Sequence, residues 1–321
     1  MKYRPLTGWC LTTGKQGHEQ QALGILESLV RNPVVKRVFP RNIESLLAPY
    51  LPVKENSEIC QPWPDIVITS GRQSAAYAKL ISKRSAGRTF TVILQDPKAP
   101  PSWFDFLWVN THDSISGPNV MKTLTTPHRI TPQRLCQDQI DLIKRIKDLP
   151  SPYIALILGG ANSVYPFTLD DAKIIGRETA QLAKKRNASI LITPSRRTGK
   201  DQLYEILKGL ENSPHWVWNE KAKNPYFGIL GLCQEIIVTC DSVNMMSEAV
   251  STGKPVHITK LRKKRKSKFD GFHQALIETG AVRWLNEMNN SWTYRPINSH
   301  QMIVNEILYR YHDKLKRLEG E

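Results

Sequence analysis

The sequence predicts an α/β protein made of two doubly wound halves, each a parallel sheet covered by helices. Short apolar runs rich in β-branched and aromatic side chains alternate with segments of helical spacing along the chain. Most of these runs end in Gly, Asp, Pro or Asn, and a helical segment closed by two prolines separates two series of them. Continuous apolar runs are typical of parallel strands, because helices bury both faces of such a sheet. A length of 321 residues also suits two domains of about 150 residues each.

The first half alternates strands and helices from its first apolar run onward. The predicted strands are "GWCLTT" (8–13), "VVKRVF" (34–39), "DIVITS" (65–70), "TFTVILQ" (89–95) and "FDFLWVN" (104–110). Helical segments at 20–30 and 71–81 follow the first and third of these runs. The amphipathic segment 131–152 ends in two prolines and is predicted to be the linker helix.

The second half repeats the pattern after the linker. The predicted elements are a strand at 153–160, a capped helix at 168–186, a strand entering a polar loop at 188–201, a helix at 202–210, a short strand at 215–219, a helix at 224–233, a strand and turn at 234–242, a strand at 255–259, a helix near 270–279 and a last helix. We therefore predict an N-terminal domain at 1–149 and a C-terminal domain at 150–296. Two such halves are expected to place a cleft between the carboxyl ends of their strands.

Composition restricts the cellular setting. The chain has no apolar run near the roughly 20 residues that span a bilayer, and "MKYRPLTGWC" is a poor signal peptide. We expect the protein to remain in the cytoplasm. Five cysteines without a CxxC spacing indicate reduced thiols, and argue against a disulfide framework or a zinc site.

The charge predicts an anionic partner. Lys and Arg total 45 against 29 acidic residues, a net charge of +16. The run "KLRKKRKSK" (260–268), here called the basic loop, is the densest cluster. Its basic residues are Lys260, Arg262, Lys263, Lys264, Arg265, Lys266 and Lys268. Docking on an anionic membrane is the preferred interpretation, since each such residue gains about 1 kcal/mol near anionic lipid; a solvated loop is the alternative. Nucleic acid is disfavoured, because the sequence has no RRM, KH or zinc-finger signature.

The stretch "CDSVNMMSEAVSTGKPVHI" (240–258) predicts a strand-to-helix junction after the apolar run "EIIVT". The free amides at such a helix start bind anions, most often phosphate. Asp241 or Ser242 capping the helix is an equally good interpretation. The Gly253-Lys254-Pro255 segment is not a Walker A motif, because Pro255 occupies the Ser/Thr position and the upstream glycine is missing.

Several segments together resemble one family. They are "GKQGHEQQALGI", "SGRQSA", "LQDPKAPPSWFDFLWVNTHD", "GPNVMKT", "LGGANSVYPF", "TPSRRTG", "NPYFGIL" and "TCDSVNMMSEAVSTGKPV". They look like the mitochondrial-fission ("elongated mitochondria") family, whose members are mainly bacterial and look like GT-B glycosyltransferases. The resemblance covers nearly the whole chain. It implies two Rossmann-like domains, an N-terminal acceptor domain and a C-terminal nucleotide-sugar donor domain. It also implies that the last helix, about 297–321, packs back on the N-terminal domain.

The resemblance assigns donor-binding roles in the second half. Glu248 is expected to accept hydrogen bonds from the two ribose hydroxyls, although a glutamate early in a helix also suits the helix dipole. Ser242 and Asn244 are then expected to face the pyrophosphate or the sugar. One of Arg196 and Arg197 is expected to neutralise the leaving diphosphate, which GT-B enzymes generally do without a metal.

Two glycines, Gly159 and Gly160, end the strand at 153–160. They are expected to let the backbone approach the ligand, with a tight turn as the alternative.

The first half supplies the acceptor-side loop and the candidate base. Gly14, Lys15, Gly17 and His18 lie in the loop "TGKQGHE", which is similar to the Gly-His loop of several GT-B transferases. Inverting transfer needs a general base for the acceptor hydroxyl, and a histidine such as His18 titrates in a suitable range. "NTHD" offers His112 and Asp113 as a second pair, and the sequence does not choose between His18 and Asp113.

These observations predict a glycosyltransferase with no cofactor. It would move a sugar from a nucleoside-diphosphate sugar to a cell-surface glycan or lipid-borne acceptor, as in lipooligosaccharide or polysaccharide assembly. It would work in the cytoplasm, peripherally on the inner face of the cytoplasmic membrane. A non-catalytic membrane or mitochondrial-fission-type adaptor with the same fold is the alternative, and a nucleic-acid-binding protein, supported by charge alone, is a weaker one.

Overall fold

The computed structural model describes residues 5–39, 47–50, 53, 58–219, 221–287 and 290–320. The chain divides into two compact units, Met1–Arg129 with Ser299–Glu321, and Ile130–Asn298. Among the described residues each unit contains a six-stranded sheet, and all strand pairs are parallel. The predicted α/β class with two doubly wound halves is confirmed.

The first unit is built around a sheet of order β2-β1-β3-β4-β5-β6. Its elements are β1 (Gly8–Thr12), α1 (Gln16–Leu29), β2 (Val34–Arg37), β3 (Ile66–Ser70), α2 (Arg72–Arg84), β4 (Phe90–Leu94), β5 (Phe106–Asn110) and β6 (Val120–Thr123). Strand β6 was not predicted, because its four residues include Lys122 and only one of them is buried.

Alternate residues of these strands build two cores, one on each face of the sheet. Cys10, Ile68 and Phe90 belong to the core that α1 helps to form, whereas Trp9 and Val67 belong to the core that includes α2. Each fully buried aliphatic or aromatic side chain stabilises the fold by about 1.5–3 kcal/mol relative to exposure. Strands β1, β3, β4 and β5 are buried at every position, which explains why their sequences show no alternation.

The second unit is built around a sheet of order β12-β11-β10-β7-β8-β9. Its elements are α3 (Pro132–Ile143), β7 (Tyr153–Leu158), α4 (Leu169–Arg186), β8 (Ser189–Pro194), α5 (Lys200–Gly209), β9 (His215–Val217), α6 (Tyr226–Leu232), β10 (Glu235–Thr239), α7 (Val243–Val250), β11 (Val256–Thr259), α8 (Phe269–Glu278) and β12 (Val282–Trp284). Helices α4 and α5 pack against one face, where Ile175 and Ile206 meet Ile154 and Ile190. The short edge strand β12 was not predicted.

The observed division of the chain differs from the predicted boundary between residues 149 and 150. The first unit ends at Arg129, and α3, predicted to be the linker, belongs to the second unit. The reason is packing: α3 contacts α6 so closely that a Cβ at Gly228 would lie 2.5 Å from the carbonyl oxygen of Asp138. The predicted domains also include residues 1–4, 40–46, 51–52, 54–57, 220, 288–289 and 321, which lie outside the described residues.

The last helix, α9 (His300–Glu319), belongs to the first unit. Ile303, Ile307 and Tyr311 enter the core shared with α1, and Lys314 Nζ lies 2.8 Å from Asp105 Oδ1. The chain therefore returns to the first unit after completing the second, as the resemblance implies.

In each sheet the strand order reverses beside the first strand of the unit. The chain runs from β1 outward to β2 and then to β3 on the other side of β1. In the second unit it runs from β7 through β8 to β9 and then to β10 on the other side of β7. Doubly wound sheets bind ligands at the carboxyl ends of the strands that flank such a reversal. The edges formed by β1/β3 and β7/β10 are therefore the places where binding is expected.

No helix in the described part of the chain is long and apolar enough to cross a membrane. All five cysteines are free; Cys10, Cys233 and Cys240 are buried, and Cys60 and Cys136 are exposed.

Candidate functional site

The carboxyl ends of β7 and β10 meet at the carboxylate of Asp241. The side chain of Asp241 is fully buried and accepts hydrogen bonds from Gly160 N (3.0 Å to Oδ2) and Thr239 Oγ1 (2.6 Å to Oδ1). A Cβ at Gly159 would lie 2.1 Å from Asp241 Oδ1. The Asp241 carboxylate therefore leaves no room for a side chain at position 159. The close backbone approach predicted at Gly159 is made to Asp241 of the same chain.

The loop that follows β8 packs onto the two glycines. Ser195 Oγ donates to the carbonyl oxygen of Gly159 at 2.6 Å, and a Cβ at Gly160 would lie 2.1 Å from the carbonyl oxygen of Arg197. Thr198 N donates to Ser195 O at 2.9 Å, which closes a turn over the glycines. The strand ends of β7, β8 and β10 thus form one hydrogen-bonded unit.

Arg196 and Arg197 have different environments. Arg197 Nη2 lies 2.9 Å from Asp241 Oδ2, and Arg197 Nη1 donates to the carbonyl oxygen of Gly160 at 3.1 Å. Its charge is therefore balanced by a buried carboxylate, although 43% of its side chain remains exposed. Arg196 is exposed, and its side chain makes no hydrogen bond or ion pair with any described residue. Of the two, Arg196 is the arginine whose charge is available to an anion.

Helix α7 begins at this edge, and Ser242 is its N-cap. Ser242 Oγ accepts a hydrogen bond from Met245 N at 3.4 Å. Of the two residues that the sequence offered as the cap, Ser242 is therefore the one that caps the helix. Asn244 is the second residue of the helix and is partly buried. The positive end of α7 thus lies at the strand reversal, where a phosphate is best accommodated.

Glu248 lies near the other end of α7 and is partly buried. Its Oε2 accepts a hydrogen bond of 2.6 Å from the hydroxyl of Tyr226, the first residue of α6. Burial raises the pKa of Glu248 to about 7, although the hydrogen bond from Tyr226 opposes the rise. Burial and the neighbouring carboxylate together raise the pKa of Tyr226 well above its ordinary value, so the phenol is the donor at neutral pH.

The carboxyl ends of β1 and β3 form a second candidate site, a pocket of about 120 Å³ in the first unit. Thr13, Lys15 and His18 line it from the β1–α1 loop and the start of α1. The 70–73 segment lines it from the end of β3 and the start of α2. We call this the β1/β3 pocket. Gly14 and Gly17 of the predicted acceptor-side loop are exposed beside these lining residues.

His18 is held against the backbone of Gly71. A Cβ at Gly71 would lie 2.7 Å from Cε1 of the imidazole, and the φ of +87° at Gly71 also favours glycine. Burial and the positive charge of Lys15 lower the pKa of His18, while a hydrogen bond with the Ser70 backbone opposes this. His18 is therefore neutral at physiological pH, as a general base must be.

His112 and Asp113 lie in the loop between β5 and β6, away from the β1–α1 loop. Lys122 Nζ donates to the carbonyl oxygen of Asp113 at 2.8 Å. Strand β5 is separated from β1 by β3 and β4 in the sheet, which places it about 14 Å away at roughly 4.8 Å per strand. His18 and Asp113 are thus separate candidates for the base and do not form one dyad.

The basic loop is partly engaged by the second unit itself. Lys263 pairs with Asp270, and Lys260 Nζ lies 5.3 Å from the centre of the Trp284 ring. Arg262 N donates to Asp171 Oδ1 at 3.1 Å. Lys268 caps α8. The remaining residues, Lys264, Arg265 and Lys266, are exposed and form what we call the basic tip.

Sequence reasoning missed three contributors to these sites. Asp241 was considered as a helix cap only, and Tyr226 and Arg72 received no role. Asp241 lies two residues after the end of the buried strand β10, which is a usable signal, but its Arg197 partner is distant in sequence. Tyr226 lies in "NPYFGIL", which carried the resemblance without showing that α6 would place a phenol beside Glu248. Across the described residues, no group of three or more His, Cys, Asp or Glu side chains is arranged to hold a metal ion.

Comparison with known proteins places the chain in a family. The family model described as "Mitochondrial fission ELM1" matches residues 16–311. The mitochondrial fission protein ELM1 of Arabidopsis thaliana is 29% identical over 73% of this chain, which spans 61% of the plant protein's length. An uncharacterized protein of Rickettsia prowazekii (strain Madrid E) is 23% identical, and the match covers 94% of this chain and 97% of that protein.

Solved structures show the same fold at low sequence identity. Two structures of UDP-GlcNAc 2-epimerase from Methanocaldococcus jannaschii, the second in complex with UDP-GlcNAc and UDP, match with TM-scores of 0.54 and 0.52. Identity is 12% and 13%, and each match covers 95% of this chain and 99% of the epimerase chain. These matches confirm the GT-B-like fold. Because the family model covers most of the sequence, the chain belongs to the mitochondrial fission ELM1 family.

Proposed function

We propose that this protein is a glycosyltransferase that moves a sugar from a nucleoside-diphosphate sugar to a cell-surface glycan or lipid-borne acceptor. The observation that carries the proposal is the arrangement along α7, which begins at the β7/β10 reversal and bears Glu248 near its far end. Six residues of helix separate Ser242 from Glu248 by about 9 Å at 1.5 Å per residue. A nucleoside diphosphate spans a comparable length from its phosphates to its ribose hydroxyls.

Each end of this arrangement suits one part of the donor. The amides at the start of α7 and the exposed guanidinium of Arg196 would bind the diphosphate. The Glu248 carboxylate would accept from the two ribose hydroxyls, since charge-assisted hydrogen bonds of this kind stabilise by about 1.5–3 kcal/mol. The fold is shared with an epimerase that binds UDP-GlcNAc and UDP, which supports a nucleotide-sugar ligand.

We propose that His18 is the general base of the transfer step. The acceptor hydroxyl attacks the anomeric carbon, its proton passes to the neutral imidazole, and the bond from the anomeric carbon to the diphosphate oxygen breaks. Arg196 and the positive end of α7 would stabilise the charge that develops on the leaving diphosphate, so we propose that the reaction needs no metal or other cofactor. Arg197 would act indirectly, by holding Asp241 and the two glycines in place.

We further propose that the protein works in the cytoplasm at the inner face of the membrane. The side chains of the basic tip are exposed and pair with no described residue, and they would contact anionic lipid. An acceptor carried by a lipid would then be available at the same surface. Nucleic acid is not proposed as a partner.

A non-catalytic fission-type adaptor is the second candidate, favoured by the name of the Arabidopsis relative. An adaptor with this fold need not keep a nucleotide site. It would bind membrane through the basic tip without binding nucleoside diphosphates.

A ligand screen followed by product analysis tests the proposal. UDP-, GDP-, ADP- and CMP-sugars are screened by thermal shift, since a ligand at 100 times its Kd stabilises the protein by about 2.7 kcal/mol. The best donor is then incubated with membrane extract, and the products are separated by chromatography. We expect sugar incorporation into an acceptor with release of the nucleotide. Conversion of the free nucleotide sugar without an acceptor would indicate an epimerase, and no stabilisation by any nucleotide sugar would favour the adaptor.

A further inference from the structure

The β1/β3 pocket has a charge pattern that the proposed donor site does not explain. Its charged or titratable lining groups are Lys15, His18 and Arg72, and none of the described lining residues carries a carboxylate. Thr13 and Gln73 add a hydroxyl and a side-chain amide, and Ser70 and Gly71 complete the lining. A pocket with basic and neutral hydrogen-bonding walls is suited to a compact anion.

Two helices begin at this pocket, which adds to its positive potential. α1 has Lys15 as its N-cap and α2 has Gly71, and neither residue has a side-chain acceptor that could occupy the first helix amides. Both helices are long, with 14 and 13 residues, so both carry a full dipole. The hydroxyl of Ser70, which could otherwise face the pocket, donates to Gln21 Oε1 at 3.1 Å.

The position of the pocket in the sheet is an independent indication of ligand binding. It lies at the carboxyl ends of β1 and β3, on either side of the point where the strand order of the first sheet reverses. Ligands of doubly wound sheets bind at such reversals. A volume of about 120 Å³ is sufficient for a phosphate group.

We infer that the β1/β3 pocket binds a phosphate group of the acceptor, so that the acceptor is a phosphorylated glycan or glycolipid. Arg72 would form the guanidinium–phosphate contact, Lys15 would add a second charge at the mouth, and the amides at the starts of α1 and α2 would complete the site. Because His18 lines the same pocket, the phosphate would lie close to the hydroxyl that His18 deprotonates. The assignment to an acceptor rests on the proposed function, whereas the anion site itself does not.

Calorimetric titration of the full-length protein with inorganic phosphate and with glycerol 3-phosphate tests the site. Ionic strength is held constant with chloride, because screening alone changes weak anion binding. Arg72→Gln and Lys15→Gln should each weaken the binding of both ligands at least fivefold. Lys83→Gln, in the last turn of the same helix α2, is the matched control and should change affinity less than twofold. Glycerol should not bind.

A second titration identifies the source of the phosphate. The nucleoside diphosphate that best stabilises the wild-type protein is titrated in the presence and absence of saturating inorganic phosphate. If the pocket serves the acceptor, the two ligands bind together and Arg72→Gln leaves nucleotide affinity unchanged. Competition between them, with Arg72→Gln weakening both, would assign the pocket to the donor diphosphate and overturn the acceptor assignment.

Other outcomes separate this inference from the proposed function. Phosphate binding that depends on Arg72 and Lys15 in a protein that binds no nucleotide would support the anion site and contradict the glycosyltransferase. Equal phosphate affinity in Arg72→Gln, Lys83→Gln and wild type, with unchanged thermal unfolding of all three, would contradict the site. Absence of measurable phosphate binding by the wild-type protein would contradict it equally.

Discussion

The hydroxyl of Tyr226 donates a 2.6 Å hydrogen bond to Oε2 of Glu248, joining the start of α6 to the end of α7. Burial raises the pKa of Glu248 to about 7, and this hydrogen bond is what limits the rise. The carboxyl group is therefore close to equally protonated and ionised at neutral pH. A ribose that donates two hydroxyl hydrogens would favour the ionised form.

The first prediction is that Glu248 makes the unliganded protein less stable as pH rises. Its pKa is about 7 when folded, above the ordinary value of 4.5 for a glutamate. The contribution to stability is therefore fully present below about pH 4.5 and is lost as pH rises through 7. Glu248→Gln should remove this loss, so that the variant gains stability relative to wild type between pH 5 and 8. Urea unfolding at both pH values measures the difference.

An exposed glutamate of the same unit provides the control for this measurement. Glu278→Gln should show the same pH dependence as wild type, because Glu278 is exposed at the end of α8. If the free energy of unfolding of wild type and of Glu248→Gln changed equally with pH, the raised pKa of Glu248 would be contradicted.

The second prediction separates the two arginines after β8. Arg197→Ala should lower the free energy of unfolding by about 1–2 kcal/mol, because it leaves the buried Asp241 carboxylate with fewer donors. Arg196→Ala should change stability by less than about 0.5 kcal/mol, since its side chain is exposed. It should nevertheless weaken nucleoside-diphosphate binding at least fivefold.

Denaturant unfolding and calorimetry of both variants make the comparison. The opposite pattern, a stable Arg197→Ala with weakened binding and a destabilised Arg196→Ala with normal binding, would reverse the assignment of the two residues.

The third prediction concerns the basic tip. Changing Lys264, Arg265 and Lys266 together to Ser should reduce binding to vesicles rich in anionic lipid at least tenfold, at about 1 kcal/mol per charge. Nucleotide affinity should not change. Co-sedimentation at several salt concentrations is the measurement, because the attraction must decline as the Debye length falls.

The matched control for the basic tip removes three basic residues elsewhere in the second unit. Lys144, Lys147 and Lys208 are exposed there, and their joint replacement by Ser lowers the net charge equally. If both triple variants lose the same affinity for vesicles, net charge rather than the tip is responsible.

The sequence was sufficient to predict the layering of the fold but not its boundaries. Fully buried strands such as β3 and β10 read as continuous apolar runs, and the junction between β10 and α7 was recognisable from Asp241, Ser242 and the helical spacing after them. Strands β6 and β12 were missed because both are short and partly exposed. The boundary was misplaced because α3 looks like a linker until its packing on α6 is known.

The candidate sites were predictable as loops but not as contacts. The two glycines, Gly159 and Gly160, predicted that the backbone approaches another group closely. The structure shows that these groups are Asp241 and Arg197. The pairing of Tyr226 with Glu248 and the position of Arg72 beside His18 join segments that are distant in sequence. Such contacts depend on strand order, which short motifs do not encode.

Calorimetric titration tests whether the second unit binds a nucleoside diphosphate through Glu248. Wild type, Glu248→Gln and the control Glu278→Gln are titrated at pH 8 with the nucleoside diphosphate that gives the largest thermal shift. Wild type and Glu278→Gln should bind, and Glu248→Gln should bind at least tenfold more weakly, since the lost charged hydrogen bonds stabilise by about 1.5 kcal/mol or more. Equal affinity of all three proteins, or no binding of any nucleoside diphosphate by the wild type, would contradict it.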